Sequence, residues 1–379
     1  MQVNLKVASK FVEPEFFRRR LLIDEVSVCR TPVIGTVLYD DQSEFRKIRD
    51  FRKQRITFQA MYAYYIDSPL LANAFIVHND EYLFVDTSIV AAAAEGREIE
   101  GVAERLRQEI RGIDGTISDE FADQSALVIH NEGGGTWGHF IIQNFPKVLL
   151  FLRNHPEGKI VVPRPHAELT SHSGRLFELY GIPQTSLLPV DRDKNYRFRE
   201  LVIMDFLYDF PSAAIHPIAL DLLDQSFTEP DLAVPFLSKD TRAVFIERSN
   251  NIATRAIANQ SELQPFLAKH SVTATRLGVE HVRDQVRTWR NSRLIISTLG
   301  SDLANIIYSR PGTRILALSP DWFGDNFFYN LAVAKGVQWN ELRCGQLVEK
   351  AELLHLSSFQ VNCDILDTML QGLTRENHE

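Results

Sequence analysis

The sequence predicts a two-lobed α/β protein, each lobe a doubly wound sheet of parallel strands, with a strand-rich region at the N-terminal end. Three observations predict it. Short apolar runs alternate with helix-like segments between residues 125 and 204 and again between 243 and 318, the pattern of strand–helix–strand crossovers. A polar cluster holding Pro230 and Pro235 interrupts the alternation between the two series. The chain has 379 residues, too many for one ordinary core and enough for two.

The elements follow in order. Residues 1–118 read as strand-rich: Val33 to Tyr39 and Ile56 to Ile66 carry β-branched and aromatic side chains, and Ala74 to Asp86 reads as a hairpin turning at Asn79-Asp80. Ala91 to Ile110 has helical spacing. A first doubly wound lobe, 119–236, then runs through strand Ser125 to Ile129, the glycines Gly133, Gly134 and Gly135, and a helix from Gly138 to Asn154. Strand Lys159 to Val162, helix Leu169 to Tyr180 and strand Glu200 to Met204 complete it. The second lobe, 237–379, has strand Ala243 to Ile246, helix Ser261 to Lys269, strand Val272 to Thr275 and helix Val282 to Asn291. A β-turn-α-β unit from Ser292 to Leu318 follows, then a helical tail. In such sheets ligands sit at the carboxyl ends of the strands, so a cleft between the lobes is the expected site.

Composition narrows the classes. With 45% hydrophobic and 24% charged residues the chain has the profile of a soluble globular protein. Its net charge of −8, from 41 Lys+Arg against 49 Asp+Glu, argues against a general nucleic-acid binder. Three cysteines without a CxxC pair fit a reducing compartment. The N-terminus lacks the charged and apolar regions of a signal peptide, and the apolar stretch Phe140 to Leu152 is broken by Gln143, Asn144, Pro146 and Lys147. A cytoplasmic protein is expected. Arg18, Arg19 and Arg20 beside Phe16 and Phe17 offer a peripheral membrane contact with anionic lipid; the other reading is a solvated helix face.

Candidate chemistry clusters in two places. In the β-turn-α-β unit, the turn Thr298 to Asp302 around Gly300 and Ser301 opens a helix, and a helix start attracts anions, phosphates above all. Arg248 and Arg255 occupy the loop after strand Ala243 to Ile246. Guanidinium groups form paired hydrogen bonds to phosphate oxygens, so two of them suit a diphosphate; the alternative is a surface pair bridging to Glu247. In the first lobe the turn His130 to His139 leads from a strand into a helix. His139 at the helix start is a candidate general base, and Glu132 a second, with capping or ion pairing as the plainer role of each. Gly134 and Gly135, with Trp137, would let an acceptor approach the backbone; His216, after the loop at Pro211, could line the cleft, with a structural histidine as the plainer reading. Trp289 reads as core, and Asp191-Arg-Asp193 as a solvated turn rather than a cation site. Nothing in the sequence requires a metal or another cofactor.

Three ordered blocks resemble glycosyltransferase family 61. Gly138 to Pro146 is similar to its His-Trp-Leu-Leu-Asp-x-x-Pro; Arg248 through Arg255 and Asn259 to Glu262-Leu263 to its Arg…Arg-x-x-x-Asn-x-x-Glu-Leu; Gln285 through Gly300 and Asn305 to Pro311-Gly312 to its Gln…His-Gly-Ala-x-Leu-x-Asn…Pro-Gly. The resemblance implies a GT-B-like fold of two Rossmann-type domains and inversion without an essential metal. A nucleotide-sugar donor would be held by Arg248, Arg255, Gly300, Ser301, Asp302 and Asn305. His139 would face a glycan or lipid-linked saccharide acceptor, in bacterial surface-polysaccharide (capsule or exopolysaccharide) synthesis. Gln143, Leu299 and Ala317 stand where the family has Asp, His and an acidic residue. Those departures motivate a rival reading, a non-catalytic relative that binds a glycan or serves as a scaffold.

Overall fold

The computed structural model describes residues 5–10, 17–39, 54–95, 97–113, 115–225, 242–247, 255–277, 282–323, 326–352 and 354–375. The chain divides into two compact units, Met1–Ser27 with Thr57–Thr228, and Val28–Ile56 with Glu229–Glu379. Both are mixed α/β. The stretch 1–118 is therefore shared between them rather than forming a layer of its own, and the interruption at 229–238 lies outside the described residues.

In the first unit a ten-stranded sheet is built around strand Asn195–Met204. On one side it runs parallel to Ile117–Val128, then Lys159–Pro163, then Leu187–Val190. On the other side it pairs antiparallel with Met61–Asp67 at one end and Leu70–Ala72 at the other. At their carboxyl ends the central parallel strands carry buried apolar runs, such as Ala126 to Val128 and Ile160 to Val162, without the alternation of a one-sided sheet. Helix Ile99–Arg111 buries Val102, Ala103, Leu106 and Ile110 against Phe75, Ile76, Leu83 and Val85, one stripe at helical spacing. The hairpin expected at Asn79-Asp80 is present: Ile76–His78 pairs antiparallel with Tyr82–Phe84, and the Asn79 side-chain oxygen accepts the amides of Glu81 and Tyr82.

The helix expected over 138–154 is interrupted. Trp137–His139 is one short α-helical turn, Phe140–Asn144 is a π-helical turn, and Phe145–Asn154 resumes the α-helix. Pro146 supplies the reason: it has no N–H for the Ile142 carbonyl, so a regular ladder cannot cross this point.

The second unit has an all-parallel six-stranded sheet in the order Val272–Arg276, Arg242–Glu247, Ser292–Thr298, Arg314–Pro320, Gln338–Cys344, Val33–Tyr39. Its last strand comes from the N-terminal region, far away in sequence. Asn340 secures it, accepting the Thr36 amide (2.7 Å) and donating to the Ile315 carbonyl (3.1 Å) while fully buried. A β-carbon on Gly35 would lie 1.9 Å from the Asn340 side-chain oxygen, so glycine is required there by close approach. Trp289 is fully buried on helix Val282–Asn291, and the tail helix Cys363–Arg375 buries Leu366, Met369, Leu370 and Leu373 in the core of this unit.

Gly35→Ala is expected to destabilise the protein by about 1–3 kcal/mol through overpacking, and Asn340→Ala by about 1–3 kcal/mol through two orphaned buried groups. Because the two residues collide, urea unfolding of the double variant should show less than the sum of the two losses. Strict additivity would refute this contact.

Candidate functional site

The strand order of the second unit fixes where a ligand can enter. From Arg242–Glu247 the chain first crosses to Val272–Arg276 on one side, then returns to build Ser292–Thr298 and the remaining strands on the other. The chain leaves Arg242–Glu247 and Ser292–Thr298 toward opposite sides of the sheet, a topological switch point of the kind at which open parallel sheets bind ligands. In sequence, Arg248 to Arg255 and Leu299 to Asp302 follow directly after these two strands. Arg248 lies outside the described residues; Arg255 is described.

Arg255 is half-buried and holds a left-handed backbone, φ 56°, which is uncommon for a side chain of this kind. The surrounding chain imposes it. The Arg255 amide donates to the Leu356 carbonyl (2.9 Å), Ile257 bridges to Phe359, and Asn259 exchanges hydrogen bonds with both backbone groups of Val361. The guanidinium lies 4.3 Å from the centre of the Phe323 ring, a cation–π contact.

Phe323 is positioned from below by charges that sequence reading missed. Arg343 is 1% exposed and pairs with Glu341 (2.8 Å) and Asp321 (3.3 Å), both equally buried. Its guanidinium also donates to the carbonyls of Asp321 (2.7 Å) and Phe323 (3.2 Å), while the Trp339 indole N–H donates to Glu341. The signal available in the sequence was Glu341 and Arg343 two apart in one strand, hence on one face with Trp339. Ala317, which stands at the family's acidic position, pairs in register with Glu341 on the next strand, so a carboxylate does lie at that level of the sheet.

The Gly300 turn differs from expectation. Its φ of 171° is extended backbone that any residue adopts, and the segment it opens, Ser301–Tyr308, is a 3₁₀ helix. The Leu303 amide is already taken by the Gly300 carbonyl (2.9 Å). Ser301 and Asp302 are half-buried at this helix start. Asn305 is 1% exposed and donates to the Gln285 side chain and the Asp302 carbonyl, tying the turn to helix Val282–Asn291. Its direct role is to hold the turn.

In the first unit the His130–His139 turn is a close-packed knot. A β-carbon on Gly133 would sit 3.1 Å from the His139 ring and 2.9 Å from Ile89, and one on Gly134 would sit 3.0 Å from His130. These glycines let two imidazoles approach the backbone, whereas the sequence reading gave that space to a ligand; around Gly135 the space is open. Nδ1 of His139 is 3.0 Å from the Gln143 side-chain oxygen, one turn along through the π-helical segment. With that oxygen accepting, the proton sits on Nδ1 and Nε2 is the basic nitrogen.

Glu132 is differently placed. It accepts from the Ser88 hydroxyl (2.5 Å), the Ile89 amide (2.9 Å) and Arg105 (2.5 Å), so it caps helix Ile89–Ala93 and forms an ion pair. Trp137 lies 5.2 Å from the His172 ring. His216 is not part of this turn: it is 3% exposed, packs edge-on against Phe58 and accepts the Ile218 amide at the start of helix Pro217–Gln225. Asp191 accepts from Arg164, Lys194 and Tyr196, as a surface turn does. Among the described residues no three His, Cys, Asp or Glu side chains converge as a metal-ligand set.

Buried polar groups surround the turn. His130 is 2% exposed and neither ring nitrogen has a hydrogen-bond partner among the described residues; burial holds its pKa well below the usual histidine range, with His166 adding to the effect. Lys147, on helix Phe145–Asn154, is also buried, with its ammonium nitrogen 3.5 Å from the centre of the Phe206 ring, and burial depresses its pKa strongly. Lys10 pairs with Asp205, and burial lowers it to about 8, whereas burial raises the neighbouring Asp86 to about 6.

Residues 137–316 match the family described as Glycosyltransferase 61. The matched stretch includes His139, Gln143, Arg248, Arg255, Gly300 to Asp302 and Asn305; Glu132 precedes it and Ala317 follows it. No curated protein matches the chain at a significant level. No helix among the described residues is long and apolar enough to cross a membrane. Arg18, Arg19 and Arg20 lie on an exposed strand rather than a helix, with Arg18 paired to Asp67 and Glu200; Phe17 is buried in the core, and Phe16 is outside the described residues.

Two outcomes follow from the buried charges. Arg343→Leu removes the guanidinium from two buried acidic side chains and should cost about 3–5 kcal/mol in urea unfolding; a loss near zero would refute the stabilising role of these contacts. His130 stays neutral when folded, so below its unfolded pKa only the unfolded chain takes up the proton. Wild-type stability should therefore fall as pH drops from about 6.5 to 5, by up to about 1.4 kcal/mol per pH unit from this group. His130→Leu should flatten the slope correspondingly, and equal slopes would contradict the assignment.

Proposed function

We propose that the protein is an inverting, metal-independent glycosyltransferase that moves a sugar from a nucleotide-sugar to a glycan or lipid-linked acceptor in bacterial surface-polysaccharide assembly. The observation that carries this reading is the coincidence of the switch point of the second unit's sheet with the family's arginine and glycine motifs. We assign donor binding to the second unit and acceptor chemistry to the first, the division of labour of a GT-B-like enzyme.

In this mechanism the diphosphate of the donor lies at the carboxyl ends of Arg242–Glu247 and Ser292–Thr298. Arg248 and Arg255 supply fixed positive charge, and the start of the Ser301–Tyr308 helix adds amide dipoles. The bracing of Arg255 on Phe323 pre-positions its guanidinium, so little reorganisation is needed as negative charge develops on the departing phosphate. Nε2 of His139 accepts the proton of the acceptor hydroxyl as its oxygen bonds to the anomeric carbon. The bond from that carbon to the diphosphate breaks, and the electron pair leaves with the nucleoside diphosphate.

Gln143 orients His139 through Nδ1. An amide does this without the charge that the family's aspartate would bring, so the imidazolium formed during the reaction is less stabilised here. Glu132 has both oxygens engaged by Ser88, Ile89 and Arg105, so the proton is assigned to His139 rather than to it.

A panel of nucleoside diphosphates tested by thermal shift, followed by nucleotide release from the matching sugar donors, tests the reading. One nucleotide should raise the melting midpoint, and Arg248→Ala combined with Arg255→Ala should abolish the rise. His139→Ala should lower kcat by about 10²–10⁴-fold with nucleotide affinity retained. Absence of any nucleotide response would favour the glycan-binding scaffold, for which the missing carboxylate at Ala317 is the specific motive.

A further inference from the structure

The first unit contains a cavity of about 280 Å³ that the motifs do not touch. Its apolar wall includes Tyr62, Phe206, Tyr208 and Phe210. The last three are already locked together: Phe210 meets Phe206 edge-on at 5.2 Å and Tyr208 at 5.1 Å. Phe206 and Tyr208 are buried and hold the half-buried Phe210, which with Tyr62 offers the ring surface without further loss of side-chain freedom.

The polar floor is equally preformed. Asp205 accepts the Tyr62 amide (2.8 Å) and the Tyr64 hydroxyl (3.2 Å) through Oδ2, and Oδ1 holds Lys10. A carboxylate offers about four lone-pair sites, so Oδ1 retains one. At the rim Gln59 and Glu95 are exposed, and their side chains make no hydrogen bond to any described residue. Glu95 has a left-handed backbone, φ 49°, at the end of helix Ile89–Ala93, a strained conformation of the kind found where side chains are aimed for a purpose. The lining carries one lysine against the three carboxylates of Asp205, Asp209 and Glu95. That balance repels an anion, and with Asp205 already paired to Lys10 the exposed Glu95 and Gln59 are left to bond the hydroxyls of a neutral polyol.

The geometry points to a saccharide subsite, in which an uncharged pyranose lays its C–H face on the aromatic wall and directs hydroxyls to Glu95, Gln59 and Asp205. Helix Ile89–Ala93 joins it to the histidine turn. Ile89 lies against the Gly133–His139 knot, while Ala92, one turn further and roughly 4.5 Å along the axis, lines the cavity. The subsite thus holds a second sugar of the acceptor, next to the unit whose hydroxyl meets His139, an extension that rests on the transferase reading above.

The test uses the full chain and saturation-transfer NMR with the methyl glycosides of glucose, galactose, mannose and N-acetylglucosamine, and with methyl glucuronide as the anionic counterpart. At least one neutral glycoside should bind, and methyl glucuronide should bind more weakly than methyl glucoside. Phe210→Ala should raise the Kd of the neutral ligand about fivefold or more. Gln59→Ala, at the exposed rim, should raise it about two- to fivefold without risk to the fold. Failure of every neutral glycoside to bind, affinity unchanged in both variants, or glucuronide bound as tightly as glucoside would each overturn the subsite. Nucleoside diphosphate thermal shifts run in parallel separate the two ideas. Glycoside binding without a nucleotide response removes the transferase reading and keeps the subsite; a nucleotide response without glycoside binding does the reverse.

Discussion

Parallel strands can be joined only by crossovers that bring the chain back to the same end of the sheet, and this constraint organises the second unit. Every loop that leaves a strand emerges on one edge, so residues scattered from Arg255 to Arg343 gather there without any sequence proximity. The reversal of direction at Arg242–Glu247 then keeps two of those loops apart, since one chain segment departs to each side. The chemistry proposed for this protein needs that gap more than it needs any single side chain.

Rigidity at the edge comes from buried charge. The group Glu341, Arg343 and Asp321 is expensive to desolvate, and hydrophobic replacements of similar volume would serve stability as well. What such replacements could not do is donate to the carbonyls of Asp321 and Phe323 and so fix the ring on which Arg255 rests. The first unit uses the same device in another form. Lys10 and Asp205 neutralise each other beside an aromatic wall, and Lys147 lies under Phe206 with no carboxylate in contact. In both units polar groups are buried next to the residues proposed to meet substrate.

The histidine turn shows how one motif admits two physical meanings. Glycines in a strand–turn–helix segment read as room for a ligand. At Gly133 and Gly134 the room is filled by the protein's own imidazoles, because a side chain there would collide with His139 or His130. The break in the following helix has a local cause, the missing donor of Pro146, and it sets the turn that puts Gln143 against His139. Glu132 and His216 were marked by position near a turn, and both take the plainer role that the sequence also allowed, accepting the amides of a helix start.

By itself the sequence determined the alternation of strands and helices, the hairpin at Asn79-Asp80, the burial of Trp289 and the order of the three motif blocks. All of these are local, set by side-chain periodicity, turn chemistry or spacing along the chain. Only the tertiary structure decided that Val33–Tyr39 closes the second unit's sheet, that Gly300 is extended, that Asn305 braces its turn, and that Asp321, Glu341 and Arg343 form one buried group. Each of these depends on which distant segments become neighbours. That choice is made by hydrogen-bond register and by the need to satisfy every buried charge, and neither leaves a periodic trace in the chain.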